Sequence, residues 1–297
     1  MPKKLKHHVD HIEEEAPEGS VPAVSRTMQI LEQLSMAEGI GVNEISRSLG
    51  LHKSTVFRFL SSLRNLHYVQ QDPVTEQYRA TIKLFELGAR VVQQMEFVQY
   101  AKQVMETLAA ETDETIHLAV LENDKLVYLH KIESTQTLRV FMKSRPGQTA
   151  PLHCTGLGKC MLAFSRPDLV DTIATNQALT GFTPKTRVTV AALEQDLEQT
   201  RQCGYARDDE EHEPGVSCIA APLLRPDGTV IAALSISMPT ARVTDTVTQL
   251  YAEKLRAAAQ EVRRRMSAAD TSLTDNDVSA ADSSAAAASS ESAHHTP

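Results

Sequence analysis

Hydrophobic positions between residues 42 and 66 recur with the period of a helix and fall into two groups. Val42, Ile45 and Leu49 lie on one face of a first short helix. In the second helix the apolar positions are Val56, Phe59, Leu60, Leu63 and Leu66. Gly50 and Leu51 separate the two groups, and glycine readily adopts the positive φ that ends a helix. The pattern predicts a helix-turn-helix, whose second helix enters the major groove of DNA.

The polar face of the second helix has the chemistry that DNA recognition needs. Thr55 and Arg58 are predicted to face base edges, because an arginine can pair bidentately with guanine. Lys53 and Ser54, at the leading end, are expected to hold phosphates. An ordinary helical hairpin with a solvated polar face shares this pattern, so the flanking sequence has to separate the two interpretations.

Both flanks favour a DNA-binding domain. A third helix is indicated upstream by apolar residues at helical spacing, at Val24, Met28, Leu31 and Leu34. Arg26 lies in its first turn, where a cation opposes the helix dipole, so we expect it to contact a phosphate. Downstream, residues 68–70 and 77–80 predict the two strands of a wing. Arg79 in this wing either contacts the DNA backbone or is simply solvated.

The rest of the chain predicts an α+β fold, an antiparallel sheet flanked by helices. A helical pattern over residues 83–112 suggests a linker helix, which either provides dimer contacts or is buried within one chain. Strand patterns follow at residues 115–121, 125–132, 138–142, 218–224 and 229–237. Helical patterns cover residues 156–164, 191–203 and 245–267.

These elements divide the 297 residues into five parts. We predict a disordered arm at 1–20, a winged helix-turn-helix domain at 21–82, the linker helix at 83–112, the sheet domain at 113–267 and a disordered Ser/Ala-rich tail at 268–297.

Charge and composition narrow the class of protein. The net charge is −8, yet residues 20–80 hold six Lys/Arg against five Asp/Glu. Nonspecific nucleic-acid binding is therefore disfavoured, and specific DNA binding is expected to be strongly salt-dependent. No apolar run approaches the roughly 20 residues of a membrane span, and the N-terminus lacks the apolar core of a signal peptide. We expect a cytoplasmic protein without membrane contact.

Two alternative chemistries deserve a test. His153 next to Cys154 raises the possibility of a thiol nucleophile, but no orienting partner is evident. The acidic residues 208–211 followed by His212 are either a solvated loop or a divalent metal site, although their spacing is not diagnostic. The four cysteines form no CxxC pair. We therefore expect no catalytic residues, no metal and no cofactor.

Several long motifs, in order, make the chain similar to the IclR family of bacterial transcription regulators. They are SRSLGLHKSTVFRFLSSL, YRATIKLFELGARV, PLHCTGLGKCMLA, GYARDDEEHEPGVSCIAAPL and AALSISMPTAR. The resemblance covers residues 21–266. Within the family, ETIHLAVLENDKLVYLHKI and KLFELGAR most resemble the branch that represses the 2-keto-3-deoxygluconate regulon.

The resemblance implies a GAF-like effector domain, a homodimer or dimer of dimers, operator DNA and a small carboxylate or keto-acid effector. Matched residue by residue, the effector site comprises Gly156, Leu157, Asp208, Cys218, Ser235 and Ser237. Leu157 stands where some relatives have a small residue, so only its backbone N–H can donate. Judged by its residue type alone, Cys218 is instead a small buried apolar residue.

Three functions remain open at this point. The first is an effector-controlled repressor responding to an acid such as 2-keto-3-deoxygluconate. The second is an activator of the same architecture that responds to an aromatic or other organic acid. The third is a small-molecule enzyme or ligand-binding module with an incidental helical hairpin.

Overall fold

The computed structural model describes residues 21–225 and 227–291, with side chains as far as residue 268. The predicted arm at 1–20 lies outside the described residues. The chain divides into two compact units, Met1–Val91 and Val92–Pro297.

The first unit contains three helices and a small hairpin. The helices are α1 (Pro22–Ser35), α2 (Val42–Ser48) and α3 (Lys53–Asn65). Strands β1 (Val69–Gln71) and β2 (Tyr78–Ala80) pair antiparallel, as expected for a wing. Gly50 has a φ of 62° between α2 and α3, the left-handed conformation that the predicted helix-turn-helix requires.

The core of this unit differs from the predicted one in α1. Ile30, Leu31 and Leu34 are buried, but Val24 and Met28 are 59% and 52% exposed. The buried face of α1 therefore covers only its C-terminal half. The other core residues come from α2, α3 and the hairpin, and include Ile45, Val56, Leu60, Leu63, Val69 and Tyr78.

The predicted single linker helix at 83–112 is wrong, because the chain forms two helices there. They are α4 (Lys83–Gln93) and α5 (Glu96–Thr112). Met95 has extended backbone at the break, with φ −83° and ψ 90°, and its side chain packs against the core of the second unit. Helix α5 buries an apolar face, whereas α4 has no buried residue.

A six-stranded antiparallel sheet forms the centre of the second unit. In chain order its strands are β3 (Thr115–Glu122), β4 (Lys125–Ile132), β5 (Thr149–Ala150), β6 (Ala206–Asp209), β7 (Val216–Leu224) and β8 (Val230–Pro239). Their order across the sheet is β5-β4-β3-β8-β7-β6. Asn123 and Asp124 both have positive φ, which lets a tight turn join β3 to β4.

The two faces of the sheet carry separate apolar cores. On β3, Ile116, Leu118 and Val120 join α5 and the C-terminal helix α9 (Asp245–Glu291) in one core. Ala119 points the other way, into a core with α6 (Gly156–Ala163), α7 (Leu169–Asn176) and α8 (Val190–Cys203). This alternation follows from the two-residue period of a strand.

Residues 138–142, predicted as a strand, form none. The segment belongs to a loop of residues 133–148, called here the β4–β5 loop. Its carbonyl oxygens accept from side chains instead of from a strand: Arg242 Nη1 donates to Leu138 O, and Lys131 Nζ donates to Met142 O. Helix α7 and strand β6 were not predicted.

Helix α9 spans Asp245–Glu291 and so continues beyond the predicted end at residue 267. Residues 268–291, which were predicted to be part of a disordered tail, therefore have a helical backbone. The Ala-rich composition explains the difference, because alanine has the highest helix propensity. Residues 292–297 lie outside the described residues.

Gly158 provides a test of the packing around α6. A Cβ at this position would lie 2.2 Å from the carbonyl oxygen of Leu152, a backbone atom that cannot move aside cheaply. We expect Gly158→Ala to destabilise the protein by at least about 1–3 kcal/mol in urea unfolding. Gly88→Ala is the matched control, because a Cβ there meets no atom within 4 Å and alanine favours a helix. Equal stability of the two variants would contradict the described packing.

Candidate functional site

The first turn of α6 forms one wall of a cavity in the second unit. Thr155 caps the helix: its Oγ1 accepts from the N–H of Gly158 at 3.1 Å and donates to Pro151 O at 2.8 Å. Gly156 and Leu157 follow in the first turn, and both line the cavity. Unpaired N–H groups at a helix N-terminus attract anions, so this wall suits a carboxylate.

The cavity has a volume of about 120 Å³ and opens to solvent. All six predicted effector residues line it: Gly156, Leu157, Asp208, Cys218, Ser235 and Ser237. Ser235 and Ser237 lie two apart on β8, and the structure places both on the cavity side. Further lining residues include His117, Tyr128, Lys143, Ser144, Gln148, Thr149, His212 and Glu213.

Asp208 is a buried carboxyl in the cavity wall. Burial raises its pKa from the ordinary 3.8 to about 7, although its Oδ1 accepts from the N–H of Glu211 at 2.8 Å. Asp208 can therefore accept from an effector hydroxyl when charged and donate when protonated.

The neighbouring acidic residues are engaged in ion pairs. Lys185 Nζ lies 3.2 Å from Asp209 Oδ2 and 2.9 Å from Glu210 Oε1. Glu211 pairs with the buried Lys159 at 2.5 Å. Within residues 21–225 and 227–268, no three His, Cys, Asp or Glu side chains converge as metal ligands. The acidic segment is thus held beside the cavity by ion pairs and is not a freely solvated loop.

The surroundings of the thiols near the cavity make them poor nucleophiles. Burial raises the pKa of Cys154 to about 12, and His153 Nε2 donates to Thr180 O at 2.9 Å rather than to sulfur. The Cys218 thiol donates to Ser237 Oγ at 3.1 Å, and burial raises its pKa as well. A thiolate nucleophile is disfavoured at both positions.

The sequence prediction missed several polar lining residues, among them His117, Tyr128, Lys143 and Ser144. His117 is buried on β3, in the register position opposite Ser235. Tyr128 lies beside it, with 5.2 Å between ring centroids. Lys143 and Ser144 reach the cavity from the β4–β5 loop. The alternation of β3 could have assigned His117 to the cavity face, but no local pattern brings residues 143 and 144 there.

In the first unit, α3 exposes a compact set of polar side chains. Lys53, Ser54 and Arg58 are exposed, and none of them bonds to another side chain within the described part of the chain. Thr55 is half-buried. Phe57 is 54% exposed on the same helix, an apolar residue that the sequence prediction did not assign to the DNA surface.

The remaining predicted DNA contacts are also at the surface. Arg26 is exposed on α1. Arg79 is exposed on β2. With the Gln70 amide turned so that its oxygen faces Arg79, that oxygen accepts from Arg79 Nε at 2.7 Å. Lys53, Ser54 and Arg58 therefore offer unused donors, while Arg79 is held against its own wing.

Comparison with known sequences decides the family. Residues 23–73 match the family description "IclR helix-turn-helix domain", and residues 89–264 match "Bacterial transcriptional regulator IclR C-terminal". The chain belongs to the IclR family. IclR-family proteins are DNA-binding transcription regulators with an effector-binding C-terminal domain, so the predicted α+β fold class and regulatory role are confirmed.

Relatives agree with this membership. The HTH-type transcriptional regulator KdgR of Escherichia coli K12 is 40% identical over 251 residues, covering 84% of this chain and 95% of KdgR. The DNA-binding transcriptional repressor YiaJ of the same strain is 32% identical, covering 86% and 90%. A solved IclR regulator from Silicibacter sp. TM1040 superposes with a TM-score of 0.72 at 28% identity, covering 82% and 95%.

The raised pKa of Asp208 predicts a pH dependence of stability. The folded chain holds a proton on Asp208 up to about pH 7, whereas the unfolded chain releases it near pH 4. The folded state thus binds more protons between these values, and Asp208 makes stability fall as pH rises from about 4 to about 7. We expect Asp208→Asn to flatten this slope in urea unfolding.

Asp171→Asn is the control, because it removes an exposed carboxyl from α7. Its slope should match that of the unmodified protein. A slope for Asp208→Asn that also matches the unmodified protein would show that Asp208 titrates normally.

Proposed function

We propose that this IclR-family chain is a repressor that binds operator DNA through α3 and is controlled by a small organic acid in the α6 cavity. The observation that supports it most directly is the α6 N-terminus, whose anion-attracting first turn lines the same cavity as two strand hydroxyls. A repressor of this kind needs an effector that binds the DNA-free state more tightly.

Operator recognition is assigned to the exposed face of α3. Arg58 and Thr55 contact base edges, and Lys53, Ser54 and Arg26 contact phosphates. Phe57, at one helical turn from Lys53, is suited to pack against a thymine methyl group. Arg79 contacts the backbone through the wing once its bond to Gln70 is exchanged for a phosphate. Since these partners are operator DNA, the site of action is the cytoplasm.

Effector recognition is assigned to the six residues predicted from the resemblance and to Lys143. The backbone N–H groups of Gly156 and Leu157 hold the carboxylate, with the Lys143 ammonium adding charge. Ser235 and Ser237 bond the keto oxygen, and Asp208 bonds a chain hydroxyl. A hydroxylated keto acid such as 2-keto-3-deoxygluconate satisfies these groups, whereas an aromatic acid without a hydroxyl group leaves Asp208 without a hydroxyl partner.

Regulation, rather than catalysis, fits the state of the reactive groups. The cavity contains a buried thiol at Cys218, and the neighbouring Cys154 is protonated at neutral pH because burial raises the pKa of both. His117 is neutral, since burial lowers its pKa to about 3. The two thiols and His117 therefore supply neither an activated nucleophile nor a base near neutral pKa. Asp208 has a pKa raised to about 7, and it is assigned instead to an effector hydroxyl.

We also place a self-association surface on the first unit. Val24 and Met28 on α1 are exposed, and so are Phe85 and Val91 on α4, at 68% and 56%. Exposed apolar side chains on two helices of one unit are typical of a protein–protein contact. A homodimer would also match the two half-sites that helix-turn-helix proteins bind.

Arg58→Ala tests the operator assignment. Loss of a bidentate arginine–guanine contact corresponds to about 1–3 kcal/mol, roughly a 5- to 150-fold weaker operator affinity. Binding would be measured by fluorescence anisotropy with promoter DNA from the chain's own operon, at fixed salt. Arg263→Ala, which removes an equal charge from an exposed position on α9, is the control. Unchanged operator affinity of Arg58→Ala would remove α3 from the recognition surface.

Lys143→Gln tests the effector assignment. An ammonium near a carboxylate contributes a charge-assisted hydrogen bond, so we expect the Kd for 2-keto-3-deoxygluconate to rise about tenfold in calorimetry. The increase should shrink at high salt, because Lys143 is exposed. Lys125→Gln, an exposed lysine on β4 outside the cavity lining, should leave the Kd unchanged. Equal Kd values for both variants would exclude Lys143 from the site.

A further inference from the structure

A chain of hydrogen bonds crosses the floor of the cavity and ends in the β4–β5 loop. His117 Nε2 lies 2.8 Å from Ser144 Oγ, and His117 Nδ1 lies 3.4 Å from Ser237 Oγ. The Cys218 thiol donates to the same Ser237 oxygen at 3.1 Å. Ser144 and Ser237, 93 positions apart in numbering and on different elements, are thus joined through one imidazole ring.

The imidazole of His117 is neutral, which constrains the whole chain of bonds. The side chain is buried, and burial together with the charge of Lys131 lowers its pKa to about 3. A neutral ring has one N–H donor and one acceptor nitrogen. When one nitrogen donates, the other must accept. The donor or acceptor role of the Ser144 hydroxyl is therefore coupled to that of the Ser237 hydroxyl.

Two arrangements satisfy the ring. In the first, Nε2–H donates to Ser144 Oγ, and Nδ1 accepts from the Ser237 hydroxyl. Ser237 then has no proton left for a ligand, because its single hydrogen points at His117. In the second, Nδ1–H donates to Ser237 Oγ, and Nε2 accepts from the Ser144 hydroxyl. The Ser237 hydrogen is then available to a ligand oxygen.

The Ser144 end of the chain belongs to the middle of the β4–β5 loop, residues 138–144. The two ends of the loop are hydrogen-bonded to Asp113, Thr115 and Tyr128. Lys131 Nζ donates to Met142 O at 3.3 Å and to Ser144 O at 3.2 Å. Arg242 Nη1 holds Leu138 O at 2.7 Å. Between these attachments Leu138 and Phe141 are 66% and 79% exposed. The Ser144–His117 hydrogen bond is therefore one of the few side-chain bonds among the described residues that hold this middle segment beside the cavity.

We propose that His117 is a positioning residue that links effector binding at Ser237 to the β4–β5 loop through the tautomer of its ring. An effector oxygen that accepts from Ser237, as a keto or carboxylate oxygen does, selects the second arrangement. In this arrangement the ring proton is on Nδ1 and Nε2 carries none. The Ser144 hydroxyl then donates to Nε2. A ligand that only donates a hydroxyl to Ser237 selects the first arrangement, because the Cys218 thiol and the ligand then fill both lone pairs of Ser237 Oγ. This inference rests on the proposed effector site.

The tautomer can be observed directly in the full-length protein. Long-range ¹H–¹⁵N correlation of protein labelled at histidine nitrogen distinguishes Nδ1–H, Nε2–H and doubly protonated rings. The His117 signal is identified among the 11 histidines by its absence in His117→Gln. With saturating 2-keto-3-deoxygluconate we expect His117 as the Nδ1–H tautomer. An Nε2–H or doubly protonated ring in the complex overturns the inference and leaves the effector site intact.

Failure of 2-keto-3-deoxygluconate to bind, measured by calorimetry on the same sample, overturns the proposed effector class and the inference with it. The two failures are therefore distinguishable, because only the second occurs without a binding heat.

A mutant cycle separates transmission through His117 from direct contact of Ser144 with the effector. In the unmodified background, Ser144→Ala should raise the effector Kd about three- to tenfold, the size of one hydrogen bond. In a His117→Phe background the same change should have no further effect. Thr137→Ala, which removes an exposed hydroxyl from the same loop, should be silent in both backgrounds.

An equal loss from Ser144→Ala in both backgrounds would mean that Ser144 contacts the effector itself. That result overturns the role of His117. His117→Gln, whose amide also offers one donor and one acceptor, should restore part of the affinity lost in His117→Phe if the inference holds.

Discussion

Buried polar side chains on the α6 face of the central strands need hydrogen-bonding partners, and this requirement shapes the second unit. The opposite face of the same strands is mostly apolar and packs on α5 and α9. On the α6 face, the buried side chains of His117, Ser235 and Ser237 line one cavity together with Asp208 of the edge strand β6. Such groups are stable inside a protein only if each finds a partner. They find it in one another, in the β4–β5 loop, and in whatever occupies the cavity.

The same requirement explains the buried ion pair behind the cavity. Lys159 on α6 is 3% exposed and pairs with Glu211 and Asp196. Glu211 in turn donates its backbone N–H to Asp208. A buried pair contributes little net stability, but removing one partner leaves an uncompensated charge. The pair therefore fixes the position of α6 relative to β6, and with it the distance between the anion-attracting helix end and the Asp208 carboxyl.

Local periodicity was sufficient to predict most of the fold but only part of the site. The two-residue period of β8 correctly placed Ser235 and Ser237 on one side, and glycine chemistry placed the turn at Gly50. The strand expected at 138–142 failed, because its carbonyls are held by Arg242 and Lys131 from distant positions. Lys143 and Ser144 were missed for the same reason: tertiary contacts bring them to the cavity, and no local pattern records such contacts.

The break between α4 and α5 leaves α4 as an 11-residue helix without a single buried side chain. Helices of that length are marginal in water unless tertiary or quaternary packing supports them. Folding of α4 is then coupled to the covering of its apolar side chains. If a second copy covers them, dilution of the protein would melt α4 as well as separate the copies. The helical content of the protein would then depend on its concentration in the cell. The same would hold for the fraction of the protein that is paired and can bind two half-sites.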